Sequence, residues 1–145
     1  MINIGLDMMG GDFAPAEAVN GVVSFLKNSQ NKHVHLTLIG DETQILSLIT
    51  SHQISSDQFT VVHSTQVIEM HEHPTKALKE KQDSSIAIGF QLLAEGKIDA
   101  FMSAGNTGAM LVGAMFTIKA IPGVLRPTIG ATMPKSDGST GILVD

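Results

Sequence analysis

Short apolar runs alternate along the chain with segments in which apolar residues recur every three or four positions, which predicts strands alternating with helices. Ile2 to Leu6 is a buried strand that ends in Asp7 and the turn material Gly10-Gly11-Asp12. A helix follows: Pro15 suits its first turn, and Val19, Val22, Val23 and Leu26 line one face. Val34 to Ile39 reads as a second strand stopped by Gly40, with Asp41 capping a helix whose stripe is Ile45, Leu48 and Ile49. A weaker strand covers Thr60 to His63, and Glu69 to Gln82 is a polar stretch. Asp83 or Ser84 then caps a helix with Ile86, Phe90 and Leu93 facing inward. Asp99 to Ser103 is the next strand, and Ala109 to Lys119 a buried helix ended by Pro122-Gly123. Ile129 to Met133 and Ile142 to Val144 are strands separated by a turn over Pro134 to Gly138.

Such alternation implies an α/β fold with a mostly parallel sheet covered on both faces and ligand loops at the carboxyl ends of its strands. No repeat, low-complexity tract or flexible linker interrupts it. The chain stops at Leu143-Val144-Asp145 within a predicted strand, and an edge left unpaired there suggests a fragment.

Composition narrows the class. With 43% hydrophobic residues and a mean hydropathy of +0.19 over 145 residues, the sequence is too apolar for a disordered chain and has no apolar run long enough to span a bilayer. It contains no cysteine, so a disulfide framework and a thiolate metal site are both excluded. The opening Met-Ile-Asn-Ile-Gly-Leu-Asp lacks the basic and apolar regions of a signal peptide, and the cytoplasm is the expected compartment. A net charge of −5 argues against wholesale nucleic-acid binding and makes any anion site local.

Three segments carry candidate chemistry. In Ser103-Ala104-Gly105-Asn106-Thr107-Gly108-Ala109 a strand leads through two glycines into a helix, so backbone N–H groups and the side chains of Ser103, Asn106 and Thr107 could meet a phosphate. Its spacing matches neither the nucleotide P-loop nor the dinucleotide fingerprint, and a tight turn with packing glycines explains it almost as well. In the second segment, Asp7 and Asp12 bracket Gly10-Gly11 at the end of the first strand; each carboxylate taken singly reads as a cap or turn former. The third, Lys76 to Ser85, concentrates Lys76, Lys79 and Lys81 just before Asp83, Ser84 and Ser85, a set that suits phosphate but equally describes a solvated face. Arg126 is an isolated cation. The pairs His33/His35 and His71/His73 could share an ion on a strand, yet no His-Glu-x-x-His helix exists, and solvated or capping histidines are the expectation, with no metal. The eight methionines read as core, or as lining for an acyl groove.

Taken together, four blocks resemble one family, the PlsX phosphate acyltransferases: Asp7-Met8-Met9-Gly10-Gly11-Asp12, Met70-His71-Glu72-His73-Pro74, Lys81-Gln82-Asp83-Ser84-Ser85 and Ser103 to Ala109, followed by Gly123-Val124-Leu125-Arg126-Pro127. Met8 stands where the family usually has Ala, and Lys79 where Arg is common. Family members are roughly twice this length, so residues 1–145 correspond to an amino-terminal part.

The resemblance implies a Rossmann-like three-layer α/β/α fold similar to the isocitrate and isopropylmalate dehydrogenases, without a nicotinamide or other cofactor. It implies transfer of a fatty acyl group from acyl carrier protein to inorganic phosphate, in phospholipid synthesis. A homodimer, peripheral association with the inner face of the membrane, and a downstream glycerol-3-phosphate acyltransferase are implied with it. On that reading Gly105, Asn106, Thr107 and Gly108 cradle phosphate, Lys81 or Arg126 neutralises it, Asp7, Asp12 or Asp83 orients the cations, and Gly10, Gly11, Ser84, Ser85 and Ser103 complete the substrate site. Asn106 is expected to matter more for chemistry than for folding. The alternatives are a non-catalytic anion- or acyl-carrier-binding module, and a metal-dependent phosphoryl-transfer enzyme using Asp7 and Asp12.

Overall fold

The computed structural model describes residues 1–28, 33–52, 54–125 and 127–144. In chain order they form β1 (Ile2–Asp7), α1 (Ala16–Lys27), β2 (Val34–Gly40), α2 (Glu42–Thr50), β3 (Phe59–His63), α3 (Pro74–Glu80), α4 (Ser85–Ala94), β4 (Ala100–Met102), α5 (Thr107–Gly113), β5 (Gly130–Pro134) and β6 (Thr140–Val144). The first four strands make one wholly parallel sheet in the order β3-β2-β1-β4, with Ile4 of β1 opposite both Leu36 and Ala100.

Alternation along β1 and β2 divides the core in two, because successive side chains of a strand point to opposite faces. Ile4, Leu6 and Met8 join Leu36 and Leu38 beneath α1 and α2, which contribute Val19, Val22, Val23, Ile45 and Ile49. Each such side chain, fully buried, is worth about 1.5–3 kcal/mol. A second cluster, Ile68, Ala77, Ile86, Phe90 and Ala109, is built from α3, α4, α5 and the segment before α3, with Phe101 of β4 packed against it. Helix α4 comes close to the sheet at Gly89, where any Cβ would collide with the Phe101 ring. The result is helices, sheet, helices, as the alternation predicts.

The caps are local and specific. Asp41 accepts from Gln44 N at 3.0 Å to start α2, and Ser84, rather than Asp83, accepts from Ala87 N at 3.3 Å to start α4. Pro15 sits at the N-cap of α1, one residue before its first turn.

Three expectations are corrected. The polar stretch from Glu69 to Gln82 contains α3, whose Pro74 opens the helix and whose Ala77 alone is buried, too small an apolar stripe to show as a period. The helix expected over Ala109 to Lys119 starts earlier, at Thr107, widens after Gly113 into a π-helical turn, Ala114–Ile118, and ends at Lys119 in the left-handed region (φ 72°). Its second half is not buried, for Met115, Phe116 and Ile118 are exposed. Finally, β5 and β6 do not extend the parallel sheet; they pair antiparallel in a separate ribbon, Gly130 opposite Val144, turned through Gly138 at φ 81°.

Candidate active site

The strand order reverses between β1 and β4: the chain leaves β1 for β2 and β3 on one side, then returns to pair β4 on the other. Open α/β sheets bind ligands in the crevice outside the carboxyl ends of strands at such a point. Here the two glycine loops meet in that crevice. Asp7, 6% exposed, accepts from Met9 N at 2.9 Å and from Ser103 Oγ at 2.6 Å. Ser103 Oγ in turn accepts from Gly105 N at 3.0 Å. The loops are in backbone contact, since a Cβ on Gly10 would lie 2.7 Å from Gly105 N and 2.9 Å from Gly105 Cα. Gly11 adopts φ 105° beside Ala104, a conformation that favours glycine. The sequence Gly10-Gly11 is thus required by a close approach and by a left-handed turn in succession.

A third segment closes over this junction from the side. Asn106 is the N-cap of α5, accepting from Ala109 N at 2.9 Å, while its Nδ2 donates to the carbonyls of Glu69 and Glu72 at 3.0 Å each and of Met70 at 3.4 Å. Lys81 Nζ reaches the same segment, donating to Val67 O and to Glu72 Oε2 at 2.6 Å each. Glu72 Oε2 also accepts from Glu69 N at 2.7 Å. The Lys81 ammonium first, and the Glu69 N–H after it, hold the Glu72 carboxyl below its ordinary value. Asp83 accepts from both the N–H (3.1 Å) and the hydroxyl of Thr65, and Gln66 bridges to Ser84 in parallel register. Pro74, at the start of α3, packs on Gly108 so closely that no Cβ would fit there.

The structure therefore brings Asp7, Gly10, Gly11, Ser103, Gly105 and Asn106 into one junction and links Lys81 to it through residues 67–72. Thr107 is exposed, and Gly108 half-buried, at the start of α5; neither N–H makes a hydrogen bond within the described residues. Asp12 is exposed and has no hydrogen-bond partner among them. Ser84 and Ser85 are fully buried beneath the α4 start. Arg126 lies outside the described residues. Among those residues no group of three or more His, Asp or Glu is placed to hold a metal ion, and no helix is long and apolar enough to cross a membrane.

Asn106 differs from what its position in the sequence suggests. It lies at the strand–helix junction as expected, but its carboxamide is 5% exposed and bonded to protein at both ends. Glu72, Thr65 and Gln66 have no role legible in the sequence. Lys81, the partner of Glu72, and Asp83, the partner of Thr65 and Gln66, lie 9 to 18 residues away across turns, where no periodic spacing signals a contact.

Comparison with known proteins places the sequence among named relatives. The sequence is 40% identical over 144 residues to a phosphate acyltransferase of Dictyoglomus turgidum, a match covering 99% of this chain and 42% of the relative. It is 38% identical to that of an Exiguobacterium species and 40% to that of Methylococcus capsulatus, with 99% of this chain and 43% and 42% of those relatives covered. The chain thus spans about two-fifths of the length of these curated relatives. The family model described as "fatty acid synthesis protein" matches residues 2–145. With nearly every residue inside that match, the chain belongs to the fatty acid synthesis protein family, to which its four motif blocks had pointed.

Proposed function

We propose that the chain supplies the β1–β4 half of an acyl-transfer site, at which a fatty acyl group passes from acyl carrier protein to inorganic phosphate to give acyl phosphate for phospholipid synthesis. The observation that carries this reading is the apposition of Gly10 and Gly105 at the switch point, tied by the Asp7–Ser103–Gly105 hydrogen bonds. The Asp7 carboxyl and the Ser103 hydroxyl stand at the contact of the two loops, so a small anion would be met by backbone N–H groups farther along, past Gly105. Those of Thr107 and Gly108, at the positive end of α5, are the candidates, because Gly105 N already serves Ser103. The relatives' name, phosphate acyltransferase, supports the same chemistry.

The reaction asks little of side chains. Phosphate is substantially dianionic near neutral pH and attacks a thioester carbonyl directly; the carrier's thiol, with a pKa of about 8.5, departs without strong acid help. The work left to the protein is alignment of two substrates and stabilisation of an oxyanion by fixed dipoles. Asp7 then acts as an organiser: its carboxyl oxygen holds the Ser103 hydroxyl, and Ser103 holds the loop through Gly105 N. Lys81, whose ammonium is paired with Glu72, contributes order to residues 67–72, which hold the Asn106 cap. The whole protein is read as a cytoplasmic homodimer that associates peripherally with the membrane and hands its product to a glycerol-3-phosphate acyltransferase.

The deciding experiment is a mass-spectrometric assay of the full-length protein with acyl carrier protein thioester and phosphate. Acyl phosphate formed without nucleotide is expected, and turnover that requires ATP would overturn the proposal. Binding of phosphate or carrier without turnover would favour a non-catalytic module instead.

A further inference from the structure

Glu72 joins two parts of the molecule that carry the candidate chemistry. Its carboxylate oxygen Oε2 receives the Lys81 ammonium at 2.6 Å and the Glu69 N–H at 2.7 Å, closing residues 69–72 into a ring. Its own carbonyl receives Asn106 Nδ2 at 3.0 Å, as does that of Glu69. One residue thus holds a cation from the end of α3 through its side chain and the cap of α5 through its backbone. The three Asn106 bonds depend on the carbonyls of Glu69, Met70 and Glu72 converging, and that turn is closed twice, by Glu72 N donating to Glu69 O at 3.2 Å and by Glu69 N donating to Glu72 Oε2. We infer that Glu72 is a positioning residue for the reaction proposed above, acting through Lys81 and Asn106 to fix the loop 103–108 relative to its phosphate. The inference rests on that reading of the site.

The ring is small, charged and only partly buried, with side-chain exposures of 29% for Lys81 and 25% for Glu72, so its worth to global stability is modest. Its worth to geometry is larger, because catalysis responds steeply to small misplacements of aligned groups. That separates Glu72 from a residue that merely stabilises the fold. A structural role lowers the amount of folded protein and leaves turnover per folded molecule unchanged. A positioning role lowers kcat/KM for phosphate in protein that is folded.

In the full-length protein, Glu72→Gln keeps the side-chain length and an acceptor for Glu69 N but removes the ion pair. Its kcat/KM for phosphate should fall by about tenfold or more with KM for the acyl carrier unchanged. Lys81→Met should do the same, and the double variant should be no worse than the more impaired single one, as for two residues acting as a unit. Replacing both by glutamine restores a neutral hydrogen bond and should recover part of the activity. Hydrogen exchange of residues 67–72 and 105–109 supplies a readout that needs no reaction, and faster exchange confined to these segments is expected in Glu72→Gln. Unchanged kcat/KM in folded Glu72→Gln, additive effects of the two single changes, or unchanged exchange would each overturn the inference. Absence of acyl phosphate with the unaltered protein, together with the expected exchange, would instead remove the acyl-transfer reading and leave the clamp standing.

Discussion

Removing the Asn106 carboxamide deletes the cap of α5 and the donor to three carbonyls at once. A cap is worth about 0.5–2 kcal/mol, and a buried polar group left without its partner costs about 1–3 kcal/mol. Asn106→Ala should therefore destabilise the protein by about 2 kcal/mol or more, read as a lower denaturation midpoint. Asn106→Asp, which keeps the cap oxygen but sets charge against carbonyls, should also destabilise it. An unchanged midpoint in the alanine variant would return Asn106 to the role its sequence position suggests, a donor aimed at ligand. That role was the legible one because the strand–helix junction is local, whereas the carbonyls it binds lie 34 to 37 residues earlier. Glu72 adds a pH dependence. Its carboxyl is held below the ordinary value of 4.5, so its stabilising contribution is present above that pH and is lost as pH falls through the depressed folded-state value. In acid titrations followed by circular dichroism, the stability gap between unaltered protein and Glu72→Gln should be constant near neutrality and close below pH 4.5.

Among elements, α4 shows how glycine positions read differently by packing. Gly89 faces the Phe101 ring, and Gly113 of α5 faces Phe90 of α4, so helix, sheet and second helix interlock through two missing side chains. Phe90 and Phe101 themselves meet edge to face, with ring centroids 5.3 Å apart. Gly89→Ala should cost about 1–3 kcal/mol through overpacking. Gly21 of α1 has nothing within 4 Å of its would-be Cβ, and there Gly21→Ala should gain about 0.5–1 kcal/mol. Denaturant midpoints of the two variants in this chain check both signs. Apolar periods made α1, α2 and α4 readable in the sequence, since each buries a stripe against the sheet. Helix α3 was not readable. It is held by Pro74 against Gly108 and by the Lys81 bonds beyond its end, contacts that leave no periodic trace.

For the molecule as a whole, alternation of the two periods was enough to give a parallel sheet between helices, but it said nothing of strand order. That β4 returns beside β1, and so that Asp7 meets Ser103, is a fact of topology. The same topology places the β1–β4 junction in these residues. In a mass-spectrometric assay, the isolated 145-residue chain should give no acyl phosphate under conditions where the full-length protein does. Robust turnover by the isolated chain would show that the remaining three-fifths of the relatives' length is dispensable for chemistry.

The pairing of β1 with β4 has a consequence in time. Ile4 faces Ala100, and Asp7 bonds Ser103, each across 96 residues, whereas β1 meets β2 across only 32. Closing a long loop costs entropy before any contact repays it, so distant pairings tend to form late and slow the approach to the native state. The switch-point crevice should consequently be absent from the folding transition state. Weakening it, for example by Ser103→Ala, should leave the refolding rate of the full-length protein nearly unchanged and accelerate its unfolding. Stopped-flow refolding and unfolding of that variant would read both limbs, and a slowed refolding limb would mean that the crevice belongs to the nucleus.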